Sequence, residues 1–234
     1  MKTLYIANKN YSSWSLRPWV LMKELKIEFE EIISPLNTGR YWQDYRKFSP
    51  SGKVPCLLDN LVDSSVDNGL TIWDSMAIME YLAEEHTSVW PDDKAARTWA
   101  RCASAEMHSG FPAVRNQCAM SCGLRVKLHQ VDDALQHDVD RIDELWQQGL
   151  TKFGGPFLAG KQFTAVDAMF APVVFRSQTY GLPFGQQSQE YMQTILSLSS
   201  MQDWYKSALQ ETWREIDHEQ EAKDVGEIVQ DFRK

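Results

Sequence analysis

Three short stretches of this chain carry residue types that chemistry can use. Asp74-Ser75 sets a carboxylate beside a hydroxyl where a strand-like run, Leu70-Thr71-Ile72-Trp73, gives way to a helical pattern from Met76 to Glu85. A helix start presents unpaired N–H groups and the positive end of the dipole, so this pair either caps the helix or holds an anion there. Val54-Pro55 opens the apolar run Val54 to Leu58 behind the turn residues Pro50, Ser51 and Gly52. Proline is tolerated at the first position of a strand, where the ladder loses nothing by its missing N–H. A cis bond before Pro55 would turn the N–H and C=O of Val54 outward, free to pair with an extended peptide; a trans bond would leave an ordinary strand edge. The third stretch is the loop Asn8 to Ser13 with its hydroxyls Tyr11, Ser12 and Ser13, and Ser15 just beyond. Such serines fill turns and cap helices, or serve as hydrogen-bond donors to a reacting group.

Those stretches need a frame. Leu4-Tyr5-Ile6-Ala7 reads as a strand, and from Ser15 the residues Leu16, Trp19, Val20, Met22 and Leu25 recur at helical spacing, with Pro18 in the first turn. Phe29 to Ile33 reads as a second strand, giving a β-α-β unit with a parallel, right-handed crossover. Tyr41 to Phe48 supports a short helix at most. The strands 54–58 and 70–73 are expected to pair antiparallel through a connection containing the turn signal Asp67-Asn68-Gly69. The order β-α-β, α, β-β-α fills residues 1–86, and Thr87 to Asp92 with its Pro91 reads as a linker.

From residue 93 to 234 the pattern is helical. Lys94 to Ser121 carries Ala96, Trp99, Ala100, Ala103, Met107 and Phe111 on one side, with a kink expected at Pro112, and Leu124 to Leu150 reads as a second long amphipathic helix. Gly154-Gly155-Pro156 ends it. Thr164 and Asp167 stand at capping-box spacing before an apolar helix running to about Thr179, a structural device rather than a catalytic one. Gln189 to Gln210 reads as a further helix, and Glu211 to Lys234 is a charged tail without an assigned place.

The 234 residues are 43% hydrophobic, enough for a substantial core, and the formal charge is −8. No basic face offers itself to a phosphate backbone, so nucleic acid is excluded as a partner. No apolar run approaches a membrane span and the first ten residues lack a signal-peptide core, so a cytoplasmic protein is expected. The four cysteines show no CxxC spacing, and Cys118 and Cys122 read as packed thiols sharing a helix face. The five histidines form no HxxxH or HExxH, so no metal is expected.

Strand, proline-led strand, hairpin and capped helix together resemble the N-terminal, thioredoxin-like domain of cytosolic glutathione transferases, whose Val-Pro and Glu/Asp-Ser motifs hold the tripeptide. Thr164-x-x-Asp167 is similar to the box that opens a central helix of that family's all-helical C-terminal domain. The resemblance therefore spans both halves and implies an α/β thioredoxin-like domain followed by an all-α domain. Ser12-Ser13-Trp14-Ser15-Leu16-Arg17 resembles the Ser-Pro-aromatic-x-x-Arg run of the serine-type tau class; the omega class has cysteine first. That registration puts Ser12 on the thiolate, and Ser12 is the preferred candidate; Ser13 stands where tau and omega have proline, and the spacing of the theta and delta classes would select Ser13 instead.

The resemblance implies glutathione as co-substrate, with no tightly bound cofactor, and a small hydrophobic electrophile as the other partner. Glutathione's cysteinyl part would pair with Val54 beside Pro55. Asp74 would take the γ-glutamyl ammonium, Ser75 the adjacent carboxylate, and Lys53 the glycine carboxylate. Met107, Phe111 and Arg115, at i, i+4, i+8, are the candidates for the electrophile pocket. The implied activity is conjugation by a serine-type transferase working as a homodimer. The Ser-Ser-x-Ser run is similar to the zeta class, which adds a glutathione-dependent isomerase of the maleylacetoacetate type as an alternative; a non-catalytic adaptor that keeps the fold is a second.

Overall fold

The computed structural model describes residues 1–36, 41–60 and 69–234. The expected turn at Asp67-Asn68 lies outside them. In chain order the first half holds β1 (Lys2–Ile6), α1 (Ser13–Glu24), β2 (Phe29–Ile33), α2 (Tyr41–Tyr45), β3 (Cys56–Asp59), β4 (Leu70–Trp73) and α3 (Ser75–Glu85). The four strands form one sheet in the order β2-β1-β3-β4. β1 runs parallel to β2 and β3 antiparallel to β4, as read from the sequence, and β1 also runs antiparallel to β3. α1 and α3 pack against each other, with Leu16, Val20, Ile78 and Leu82 wholly buried. The segment Thr87–Val89 is a single 3-10 turn leading to the second half.

That half contains α4 (Lys94–Ser109), α5 (Pro112–Gln117), β5 (Leu124–Leu128), α6 (Asp133–Phe153), α7 (Ala165–Tyr180), α8 (Gln186–Ser197), α9 (Ser199–Gln210), α10 (Ile216–Val225) and β6 (Gly226–Asp231). It is predominantly helical, and several expectations are corrected. The kink at Pro112 is a break: α4 ends at Gly110, Phe111 takes a left-handed φ of 61°, and Pro112 opens α5 in the first-turn position proline tolerates. Leu124 to Leu128 is strand, not helix, and pairs antiparallel with β6 from the far end of the chain. Its alternation of buried Leu124 and Val126 with half-buried Arg125 and exposed Lys127 is the period-2 pattern of a half-buried strand. The 189–210 helix is two helices divided at Leu198. Glu211 to Lys234, unplaced by sequence, supplies α10 and β6. Cys118 and Cys122 are both buried, but Cys118 follows the end of α5 and Cys122 lies in the next loop, so they share no helix face.

α7 is buried on nearly every side and packs against α1 and α4. Its N-terminus is buried, and the capping box of Thr164 and Asp167 satisfies N–H groups there, as the spacing implied. Asp167 also accepts from Leu158 N at 2.9 Å and from the Tyr191 hydroxyl at 3.2 Å. Burial pushes this carboxyl up to about 6, against the pull of those hydrogen bonds. A single core joins both halves, from Leu4 and Leu16 to Phe170 and Trp204. Among the described residues no helix is long and apolar enough to cross a membrane.

Candidate functional site

The loop between β1 and α1 is fastened from the other half of the chain. Glu211, just past α9, accepts from Lys9 N at 2.6 Å and Asn10 N at 3.1 Å. The Trp204 indole donates to Lys9 O at 2.8 Å, and Cys122 N donates to Asn10 O at 3.1 Å. Tyr11 turns its hydroxyl into Glu219 at 2.7 Å and accepts from Arg233 at 3.1 Å, so it is committed to the C-terminal segment. The loop therefore delivers Ser12 and Ser13 to the start of α1 in a fixed pose. Ser12 donates to Ser15 Oγ at 2.7 Å, and Ser15 in turn accepts from Ala7 N at 3.1 Å. Ser13 Oγ accepts from Arg176 Nη2 at 3.3 Å, which leaves its own proton unassigned to any partner among the described residues. Both hydroxyls stand where the dipole and the free N–H groups of α1 favour negative charge.

Across from them the Val54-Pro55 bond is cis. The Val54 amide and carbonyl have no main-chain partner among the described residues. Gly52 holds a left-handed φ of 65°, with the Trp42 indole so close that a Cβ would come within 2.5 Å of its nitrogen. Further along, Asp74 caps α3 by accepting from Met76 N at 2.8 Å, itself at a φ of 77°. Ser75 is buried, and Arg17 Nη1 reaches its Oγ at 3.5 Å. His108, from α4, sets Nε2 3.3 Å from Asp74 Oδ2. Burial, with Arg17 and Arg115 acting against Asp74, pushes the His108 imidazolium toward its neutral form.

Two cavities of about 360 and 420 Å³ meet along Trp14, Lys53 and Val54. The larger is closed by Pro55, Ser51, Trp73, Asp74 and Ser75. The other is lined by Ser12, Ser13, Tyr11, Leu36, Tyr45, Gly52, Arg115, Arg176 and His218. The structure thus brings Ser12, Ser13, Lys53, Val54, Pro55, Asp74, Ser75 and Arg115 into one cleft. Met107 and Phe111 are not part of it. At 2% and 5% exposure they pack into the core beneath, Met107 from the inner face of α4 and Phe111 from the left-handed position just past its end, and the pocket assignment for them is corrected.

Sequence reasoning missed Trp14, Trp73, Arg176 and His218 as lining residues. Arg176 had a signal, being a charge set directly after the apolar run Val173-Val174-Phe175 in the buried helix α7. His218 had none, because only the return of α10 to the cleft brings it there. Trp14 lies under two guanidinium groups, Arg17 at 4.1 Å and Arg115 at 4.8 Å from its ring centre. Burial, and then the repulsion of Arg115 and Arg176, pulls the Arg17 pKa well below its ordinary value. Burial likewise lowers Arg176 to about 10, still charged at neutral pH. No group of three or more His, Cys, Asp or Glu among the described residues is arranged to hold a metal.

Comparison with known proteins points to one family. The family model described as "Glutathione S-transferase, N-terminal domain" matches residues 11–85, and that described as "Glutathione S-transferase, C-terminal domain" matches residues 125–214. Among curated proteins, glutathione S-transferase GstB of Escherichia coli K12 is 24% identical over 192 residues, covering 74% of this chain and 83% of the relative. A probable maleylacetoacetate isomerase of Caenorhabditis elegans is 24% identical over 182 residues, covering 76% and 80%. Among solved structures, a glutathione transferase homolog from Burkholderia with bound glutathione superposes with a TM-score of 0.64 at 22% identity, covering 88% of this chain and 97% of that one.

Proposed function

Because this chain belongs to the glutathione S-transferase family, we propose that its cleft holds glutathione and that the thiolate, steadied by a serine hydroxyl at the start of α1, attacks a small electrophile. The observation that carries the reading is the Val54 main chain, which has no main-chain partner among the described residues, set between the Ser12/Ser13 hydroxyls and the Asp74-Ser75 helix end. An extended tripeptide laid there pairs with Val54 by main-chain hydrogen bonds. Its γ-glutamyl ammonium meets Asp74, and its α-carboxylate meets the Ser75 hydroxyl and the first N–H groups of α3. Lys53, exposed on the rim of both cavities, is placed for the glycine carboxylate.

The free thiol titrates near about 8.5, so only a few per cent is thiolate at neutral pH. One hydrogen bond to the charged form, about 1.5–3 kcal/mol, moves that by roughly one to two units. Ser13 is the better donor, because Arg176 occupies its oxygen and leaves its proton free, whereas Ser12 must give up Ser15 to serve. Titrating the absorbance of the enzyme-bound thiolate tests this. Ser13→Ala is expected to raise the bound thiol pKa by about one unit or more, and Ser12→Ala to raise it less. Equal pKa values in wild type and both variants would remove the serine-type assignment.

The isomerase reading uses the same thiolate and draws support from the similarity to the Caenorhabditis elegans protein. It is separated by product analysis, since an isomerase releases glutathione unchanged while a transferase consumes it. Retention on immobilised glutathione without turnover of any electrophile would favour the adaptor. On family analogy the working form is a cytoplasmic homodimer, which sedimentation equilibrium and localisation of the tagged chain would check.

A further inference from the structure

Arg17, Arg115 and Arg176 converge on Trp14 and the two serines, and their charges repel one another. Among the described residues none of the three has a carboxylate within 4.0 Å, although arginines elsewhere in the chain do. Arg115 spends its bonds on the carbonyls that end α4, donating to Met107 O and to Gly110 O at 2.9 Å. Arg176 donates to Cys118 O, past the end of α5, and to Ser13. Carbonyl dipoles offset only part of a unit charge, and a guanidinium does not shed its proton at neutral pH. Asp74 acts on Arg17 and Asp138 on Arg115 only through space, without an ion-pair contact, so a largely buried cluster of three cations is under-compensated and favours a counter-ion that arrives with a ligand.

Arg17 faces Ser75, on the side the glutathione carboxylate occupies in the reading above. Arg115 and Arg176 line the other cavity, whose wall among the described residues holds no aspartate or glutamate and adds Lys53 and His218 to the basic groups. The carboxylates near that wall are already engaged. Glu215 pairs with His218 at 2.7 Å and Glu219 with Arg233, while Asp138, held by Ala113 N at 2.8 Å and Val114 N at 3.1 Å, offsets Arg115 in part from a distance. Trp14 supplies flat apolar surface beside the charge, and the edge of the buried Tyr45 closes the wall.

We infer that the second substrate is an anionic aromatic electrophile, its ring against Trp14 and its negative group toward Arg115 and Arg176. This rests on the glutathione-transferase reading and narrows the electrophile from hydrophobic to anionic. For an aryl halide the step is a substitution: the thiolate sulfur forms the C–S bond, the C–halogen bond breaks, and halide leaves with its electron pair.

The test compares a chlorodinitrobenzoate with its methyl ester at saturating glutathione. The two share the reacting carbon and differ by one charge, and each rate is divided by its own uncatalysed rate with glutathione at the same pH. The acid is expected to exceed the ester by about tenfold or more in normalised kcat/KM, the scale of one charge-assisted contact. Added salt should shrink the ratio. Arg115→Gln should bring it toward one and Arg115→Lys should restore much of it. Because Arg115 also ties down the end of α4, the wild-type ratio and its salt dependence stand as the measurement that needs no variant. A ratio near one, or an Arg115→Gln variant that loses acid and ester equally, would mean that the arginines serve the thiolate alone, and would overturn the inference while leaving the transferase standing. Turnover of neither compound, with no glutathione bound, would sink both.

Discussion

Glu211 is the residue on which the pose of the candidate catalytic loop depends, though it lies about two hundred residues from that loop in sequence. Replacing it with alanine removes the acceptor of two buried N–H groups, Lys9 N and Asn10 N. Each orphaned buried donor costs about 1–3 kcal/mol, so Glu211→Ala is expected to lose about 2–6 kcal/mol, a large share of the roughly 5–15 kcal/mol that holds an ordinary domain. Glutamine keeps one acceptor oxygen and turns an NH₂ toward the second amide, so Glu211→Gln should lose about half as much. The pH dependence has a definite sign. Burial raises the Glu211 pKa against the opposing pull of the two amides and Lys9, so the folded chain binds more protons here than the unfolded one. As pH falls from neutral toward the unfolded value of about 4.3, wild type gains stability relative to Glu211→Gln, and that gain fades as pH rises through the folded pKa. Urea unfolding followed by tryptophan fluorescence at neutral and mildly acid pH reads both effects. A Glu211→Ala variant within about 0.5 kcal/mol of wild type, the scale of an inert surface change, would refute the claim that this carboxylate holds the loop.

Three other outcomes follow from the cleft. Asp74→Asn keeps the cap to Met76 N and a residue that tolerates the left-handed φ, but loses the charge; the KM for glutathione should rise by about tenfold or more while thermal stability barely moves. Gly52→Ala puts a Cβ against the Trp42 indole at a φ of 65°, and should cost about 1–2 kcal/mol in backbone strain alone, with weaker glutathione binding, by calorimetry and affinity measurement. Burial pushes the thiols up to about 11 at Cys56 and about 12 at Cys118, and higher still at Cys122, while Cys102 is exposed. Brief alkylation of the native chain should therefore label Cys102 alone by mass spectrometry, and its Ser variant should keep full transferase activity.

What sequence could show of this cleft divides along physical lines. Val54-Pro55, Gly52 and Asp74-Ser75 write their roles into a few adjacent residues, because a strand-opening proline, a left-handed turn and a helix cap are local devices. Ser12 and Ser13 were legible as a pair, with the resemblance favouring Ser12; what turns the choice toward Ser13 is Arg176, which reaches it across 163 positions of chain and is invisible in the local motif. The strand at Leu124–Leu128 carries a clear alternation, yet its partner is the last strand of the chain, and without a neighbour that stretch joins the helical pattern after it. Met107 and Phe111 were drawn toward the pocket by their apolar spacing, and both are buried in the core instead. Arg115, third in that series, reached the cavity because Gly110 and the left-handed Phe111 break the helix before it and swing α5 around. The same break carries its guanidinium back over the α4 carbonyls and onto Trp14, where it meets Arg17 and Arg176. A site charge in this chain is thus a product of where helices end. A variant that straightens the break, such as one with alanine in place of both Gly110 and Pro112, should keep helical content while scattering that cation cluster.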